Sequence, residues 1–366
     1  MKQKFFLATM AAIAMTSCSN DEIMEINTGK AISFRTAMAT RATETTYGDL
    51  NEFFVTAFTA NSTDTPYFTD LKFERDGNRF FSGEKYYYPG DGSDLTFFAY
   101  APSQTELGAT IDNKTQIMTG FSPKTNISQQ VDFITAKATG NMGNTAAGVE
   151  LQFAHRLAQI EIQASSANTS YTFEIKGIRI GMPVSTGDFN FTSNTWTLGT
   201  DKAVYEKTFD TATKLEATAS ALMAGDNAML IPQQLTAWDQ ENDKTNTSKG
   251  AYISVLVRIK TKAGALVYPF KGDTEQYAWA AIPVSTNWEA GKKYVYTLNF
   301  TTGAGYVDPT ATSHAGEPIL NGEITFEINI EEWTKDDNNN DVDMPLGDLE
   351  VVTPPDENEN VDPWED

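Results

Sequence analysis

A chain of 366 residues with 40% hydrophobic and 11% aromatic content can bury a substantial core, and a length of this size divides naturally between two domains. Its formal net charge of −22 argues against nucleic acid, whose phosphates would be repelled, and against electrostatic docking on anionic lipid. One cysteine and two histidines exclude an internal disulfide and a zinc site of the usual Cys and His kind.

Lys2 and Lys4 precede a run from Phe5 to Met15 that is apolar except for Thr9 and ends in Thr16, Ser17 and Cys18. Residues 1–18 therefore read as a signal peptide. The run is too short to span a hydrocarbon core of about 30 Å as a helix, and no later segment offers the roughly 20 apolar residues of a membrane span. Cys18 lies where a small-residue cleavage site would lie and reads as a lipid attachment point, each buried CH2 of an acyl chain contributing about 0.8 kcal/mol. The competing reading is a cysteine just ahead of an ordinary cleavage site. Residues 19–41 follow as a linker and a first strand, in which Ile32 and Phe34 alternate with Ser33 and Arg35. The Ala39-Thr40-Arg41-Ala42-Thr43 stretch is small, polar and protease-accessible.

Beyond it, period-two alternation recurs and long helical periodicity is hard to find. Val149, Leu151 and Phe153 alternate with Glu150 and Gln152; Ile160 and Ile162 do so with Gln159 and Glu161. Further runs are Phe173-Ile175, Ile178-Ile180, Ile253-Val255-Val257-Ile259, Tyr294-Tyr296-Leu298-Phe300 and Ile324-Phe326-Ile328-Ile330. Polar residues between them suit antiparallel sheets with one wet face. Turn chemistry at Asp76-Gly77-Asn78, Pro89-Gly90-Asp91-Gly92 and Lys262-Ala263-Gly264 separates apolar runs. The pattern predicts an all-β chain of two β-sandwiches in tandem, residues 42–165 and 166–333, with the junction near 164–170, where apolar periodicity disappears. Residues 334–366 form an acidic tail: from 331 onward there are fourteen Asp or Glu and one Lys.

No Gly-Lys-Ser/Thr phosphate loop, Gly-x-Ser-x-Gly elbow or His-Glu-x-x-His helix is present. His155, in Phe153-Ala154-His155-Arg156-Leu157, reads as a packed structural histidine before a catalytic one. The run Asp336 to Asp343 raises the question of calcium but lacks the Gly and Glu of an EF-hand loop, so a solvated linker is the better reading. No catalytic residue, metal site or cofactor is expected. Tyr86-Tyr87-Tyr88 and Trp279 are aromatic groups that either pack in the core or offer a platform for a glycan.

Several segments in order along nearly the whole chain resemble the fimbrillin family, the type V pilus subunits and fimbrillin-like surface lipoproteins of Bacteroides-type bacteria. They are the lipobox ending at Cys18, with Asp21-Glu22 after it similar to a surface-export tag; Ile32-Ser33-Phe34 and Thr40-Arg41-Ala42; Val131 to Ala136; Leu151 to Ile160; Leu230-Ile231-Pro232-Gln233-Gln234; and Trp288 to Tyr296. The resemblance implies two transthyretin-like β-sandwich domains, a lipid anchor to the outer membrane, and assembly with other pilus subunits by strand exchange. It also implies proteolysis at Arg41, releasing the first strand with Ile32 and Phe34 and uncovering a groove for a strand from another subunit. The alternative for Arg41 is a surface residue in an exposed linker. For the donor, Val342, Met344 and Leu346, followed by Leu349 and Val351, supply alternating apolar side chains, while Pro345 forfeits one ladder bond and the surroundings are acidic. Three function classes follow, in order: a structural or adhesive pilus subunit; a surface lipoprotein that binds a host or bacterial glycan or protein without forming a pilus; and an enzyme of unrecognised type.

Overall fold

Alternating Val, Ile, Phe and Tyr become sheet wherever one face can be covered, and here nearly every such run does so. In a computed structural model, described over residues 31–38, 50–59, 65–270, 276–322 and 324–333, the chain is all-β. The single α-helix among these residues is the four-residue turn Gln104–Leu107, closed by a Ser103/Glu106 capping box and a left-handed Gly108. No helix among them is long and apolar enough to cross a membrane.

The N-terminal half carries β1 (Phe34–Met38), β2 (Glu52–Thr59), β3 (Pro66–Asp76), β4 (Arg79–Ser82) and β5 (Leu95–Ala101), then the short β6 (Thr110–Asp112) and β7 (Ile117–Phe121), then β8 (Ile134–Gly140) and β9 (Val149–His155). Seven of these close on themselves in the order β1-β4-β3-β2-β5-β8-β9. The β3–β4 hairpin turns at the expected Asp76-Gly77-Asn78, with Gly77 at φ 60, which a glycine adopts without steric cost. Inward positions are dominated by phenylalanine: Phe34, Phe53, Phe73, Phe80, Phe97 and Phe153 are all fully buried. The circuit closes because β1 bonds to β9 on one side and β4 on the other and so joins the edges.

Only Arg156 and Leu157 separate β9 from β10 (Ala158–Ser165), which opens the C-terminal half. Residues 166–170 connect β10 to β11 (Tyr171–Val184). There follow β12 (Gly187–Asn190), β13 (Thr195–Leu198), β14 (Lys202–Lys214), β15 (Ser220–Ala221), β16 (Ala228–Leu230), β17 (Tyr252–Thr261), β18 (Leu266–Tyr268), β19 (Ala278–Pro283), β20 (Lys292–Asn299), β21 (Tyr306–Val307) and β22 (Thr325–Glu332). One sheet runs β15-β10-β20-β22 with β16 also on β10; the other runs β14-β11-β17-β19-β21 with β18 on β17. Their inner faces meet in one core through Ile160, Ile162, Tyr296 and Leu298 on one side and Ile178, Ile253, Val255 and Val257 on the other. This half is a sandwich. Each half opens with a strand laid parallel to a late strand of the same half, β1 along β9 and β10 along β20. The run Ile324-Phe326-Ile328-Ile330, which alternates like an inner strand, is the edge strand β22: Phe326 and Ile328 are half-buried and Ile330 is 56% exposed.

Two hairpins weld the halves. The hairpin β6–β7 and the hairpin β12–β13 join through β7 and β12 in a four-stranded sheet, β13-β12-β7-β6. Beneath it Met118, Phe121, Phe133, Phe189, Phe191 and Trp333 form a core drawn from both halves. The Trp196 indole donates to the Arg156 carbonyl at 2.7 Å, fixing the short link between β9 and β10 to this sheet.

The outer face of the β14-to-β21 sheet is only partly covered. Over one part Trp238 packs on Tyr252 and Ala281, its indole donating to the Asp243 carbonyl at 2.7 Å. Backbone N–H groups of Ser248 and Thr247 donate to the Asp243 carboxylate at 2.7 and 2.8 Å and hold its pKa down to about 2. Over the other part Tyr277 and Trp279 remain half-buried.

Candidate functional site

The seat of β1 is the most constrained feature of the N-terminal half. Ile32 and Phe34 are 1% and 0% exposed, as inward alternation requires. Phe34 presents its ring edge-on to three neighbours, Phe73 at 4.7 Å, Phe97 at 5.0 Å and Phe53 at 5.9 Å between centroids, a favoured aromatic geometry. Ahead of β1 the Ile32 N–H donates to the Tyr86 carbonyl at 2.7 Å, and the Val149 N–H donates to the Ser33 carbonyl at 3.0 Å. At Gly148, φ 76, a Cβ would stand 3.2 Å from that same Ser33 carbonyl oxygen, so the close approach of the two backbones favours glycine.

The pairing is lopsided. Against β9 it runs in parallel register from Phe34 opposite Val149 to Met38 opposite Phe153, whereas β4 meets β1 only at Phe34 opposite Phe80. Arg35 and Glu150 form an ion pair at 2.7 Å, but both are well exposed and such a pair contributes little. The Ser33 and Thr36 hydroxyls are buried without a hydrogen-bond partner among the described residues. Each such orphan costs about 1–3 kcal/mol. β1 is thus a well-packed occupant of its seat with polar defects.

Of the sequence-predicted site residues, Ile32 and Phe34 lie together in the barrel core. Cys18, Arg41 and the donor residues Val342, Met344, Leu346, Leu349 and Val351 lie outside the described residues. Within the described residues no group of three or more His, Cys, Asp or Glu could hold a metal ion. Tyr86 and Tyr88 belong to the barrel core, Tyr86 lying 5.0 Å from Phe68. Burial pushes the Tyr88 hydroxyl up to about 12.

His155 sits in a buried cluster that sequence reasoning did not assemble. Its Nδ1 is 2.7 Å from the Asp132 carboxylate, and its ring stacks on Trp333 at 4.0 Å and 12°. The Trp333 backbone N–H donates to the Gly291 carbonyl at 2.9 Å, closing the cluster against the start of β20. This arrangement pins the last described residue to the seam between the halves. Asp132 and His155 lie 23 residues apart and Trp333 much farther along, so no spacing signal could join them.

Residues 40–333 match the model of a family described as fimbrillin-like. Among solved structures the chain is similar to a fimbrial protein from Bacteroides vulgatus ATCC 8482, at 17% identity and TM-score 0.57, with 83% of this chain and 100% of that one covered. It is also similar to a candidate cell adhesion protein from Bacteroides ovatus ATCC 8483, at 17% identity, TM-score 0.48, and coverage of 84% and 99%. A third likeness is to another from Bacteroides uniformis ATCC 8492, at 14% identity, TM-score 0.45, and coverage of 84% and 99%. No curated protein sequence is a significant match.

Proposed function

Because the chain belongs to the fimbrillin-like family, we propose that it is a fimbrial subunit exported as a lipoprotein through Cys18 and assembled by strand exchange after cleavage at Arg41. A structural or adhesive role at the cell surface follows from the family alone. Strand exchange rests on one observation, the seat of β1. Removing β1 would free the backbone of β9 on one side and of β4 on the other, and would empty a groove walled by Phe53, Phe73 and Phe97. Such a groove accepts a strand through ladder bonds and side-chain pockets. The buried Thr36 hydroxyl, on the same face as Phe34, favours replacement, since a donor carrying an apolar group at that position removes an unsatisfied polar atom. Val342, Met344 and Leu346 supply such groups, at the cost of the ladder bond lost at Pro345. The family match begins at residue 40, next to Arg41, and leaves β1 outside it.

The test is size-exclusion chromatography of protein made without its leader, before and after arginine-specific cleavage. The cleaved chain should become oligomeric, and Arg41→Ala should remain a monomer with an unchanged circular-dichroism spectrum. A cleaved chain that stays monomeric, with or without an added peptide spanning Val342 to Val352, refutes strand exchange and favours a stand-alone surface-binding protein. For the anchor, Cys18→Ala should leave the membrane fraction and lose labelling by a palmitate analogue; retained labelling refutes lipidation at Cys18.

A further inference from the structure

The partly uncovered outer face of the C-terminal sandwich has the make-up of a ligand site. Strand β19 sends Ala280 and Ile282 into the core, which leaves Tyr277 and Trp279 on the outer side. The segment from Asp308 to His314 rises beside them and encloses a cavity of about 360 Å³, floored by Leu256 and Trp279. Small-ligand pockets run from about 300 to 1,000 Å³, with mostly apolar walls and a few placed polar groups.

The polar groups here are held with unusual rigidity. The Arg179 guanidinium stacks on Trp279 at 4.1 Å, and donates to Glu206 at 2.8 and 3.1 Å, to Asp308 at 3.3 Å and to Thr310 at 3.2 Å. Gly177 leaves room for the indole: a Cβ there would stand 3.3 Å from its Cη2. Asp308 is 1% exposed and also accepts from the Ser254 hydroxyl at 2.6 Å and from the N–H and hydroxyl of Thr310 at 2.9 and 2.6 Å. Apolar residues would join these strands without the desolvation cost of a buried carboxylate. What the network achieves is a fixed indole and a fixed loop. At the end of that loop His314 has a left-handed backbone, φ 60, a conformation that is strained for a residue with a side chain. Its ring lies 5.1 Å from Phe270 and its Nδ1 is 2.9 Å from Glu317, while Nε2 has no partner among the described residues.

We propose that this cavity binds a neutral carbohydrate, with a sugar ring laid against the aromatic wall of Phe270, Tyr277 and Trp279 and its hydroxyls met by Thr310, Ser313 and His314. A pyranose has one C–H face suited to an aromatic ring and a rim of hydroxyls suited to short hydroxyl and imidazole side chains. The charge balance selects a neutral sugar, since Arg179 already stands between two carboxylates, Glu206 and Asp308, and the whole chain is acidic. A peptide adding as a strand would need a free sheet edge, and β19 is bonded on both sides, to β17 and β21. The site shares no residue with the seat of β1, so it stands or falls independently of strand exchange.

The experiment is saturation-transfer NMR and calorimetry of the leaderless chain against neutral gluco-, manno- and galacto-oligosaccharides, with sialylated and sulfated glycans in parallel. At least one neutral oligosaccharide should bind, and Trp279→Ala should weaken it by about tenfold or more. Thermal unfolding checks that the variant is folded. If Trp279→Ala is not folded, Tyr277→Ala and His314→Ala, which alter less buried side chains, should give the weakening instead. The proposal is overturned if no neutral sugar binds, if only acidic glycans bind, or if binding survives all the folded variants unchanged.

Discussion

Phe34→Ala is expected to destabilise the N-terminal barrel by about 3–5 kcal/mol, the range for deleting a fully buried aromatic ring. The side chain is 0% exposed and lies edge-on to Phe53, Phe73 and Phe97, so its removal forfeits the transfer energy and three ring contacts together. The surroundings cannot easily relax into the space, because those rings sit on β2, β3 and β5, which are bonded side by side in a closed circuit. Chemical denaturation of the uncleaved chain measures the loss. Phe34→Leu, which keeps most of the volume, should recover a good part of it. A loss below about 1 kcal/mol for Phe34→Ala would mean that β1 does not hold the barrel together. If the first strand is exchanged as proposed, the same variant should exchange it more readily, since an incoming strand then competes with a weaker resident.

Trp333→Ala should be comparably severe, about 3–5 kcal/mol, and should change the form of unfolding as well. Trp333 is 1% exposed, stacks its ring on His155 of β9, and is bonded through its backbone N–H, which the substitution keeps, to Gly291 beside β20. It therefore touches both halves from the last described position. With the ring gone, His155 and Asp132 lose the cover over a buried polar pair. The halves then keep only the rest of their shared core, and a single cooperative transition should separate into two, followed by near-UV circular dichroism against denaturant. One transition with unchanged midpoint would show that the junction does not depend on this residue.

Strand content was legible in the sequence because period-two alternation with β-branched and aromatic residues reports directly on one-sided burial. Ile253, Val255, Val257 and Ile259 all point into the sandwich core, as their spacing requires. Burial at the ends of the chain was less legible. Alternation in β22 is as regular as in β17, yet β22 lies at a sheet edge where cover runs out, and edge position is a property of topology. Apolar periodicity fades where β10 gives way to the connection 166–170, while the link from β9 to β10 takes only Arg156 and Leu157, too few residues to disturb composition. For the candidate sites, Ile32 and Phe34 were readable from local pattern, but the Arg179–Asp308 contact joins positions 129 residues apart. Such pairings follow from register, which is set by the whole sheet and not by any short motif.

The four-stranded sheet shared by the two halves gives the molecule a mechanical character. A subunit in a filament is pulled from its ends, and in a chain of two independent domains that tension would fall on the covalent connection between them. Here the connection is Arg156-Leu157 alone, and it is bypassed by the ladder between β7 and β12 and by the aromatic core beneath them. Tension entering one half reaches the other through hydrogen bonds and packed rings acting together. Extension of the subunit must therefore begin with rupture of a sheet and not with the straightening of a linker.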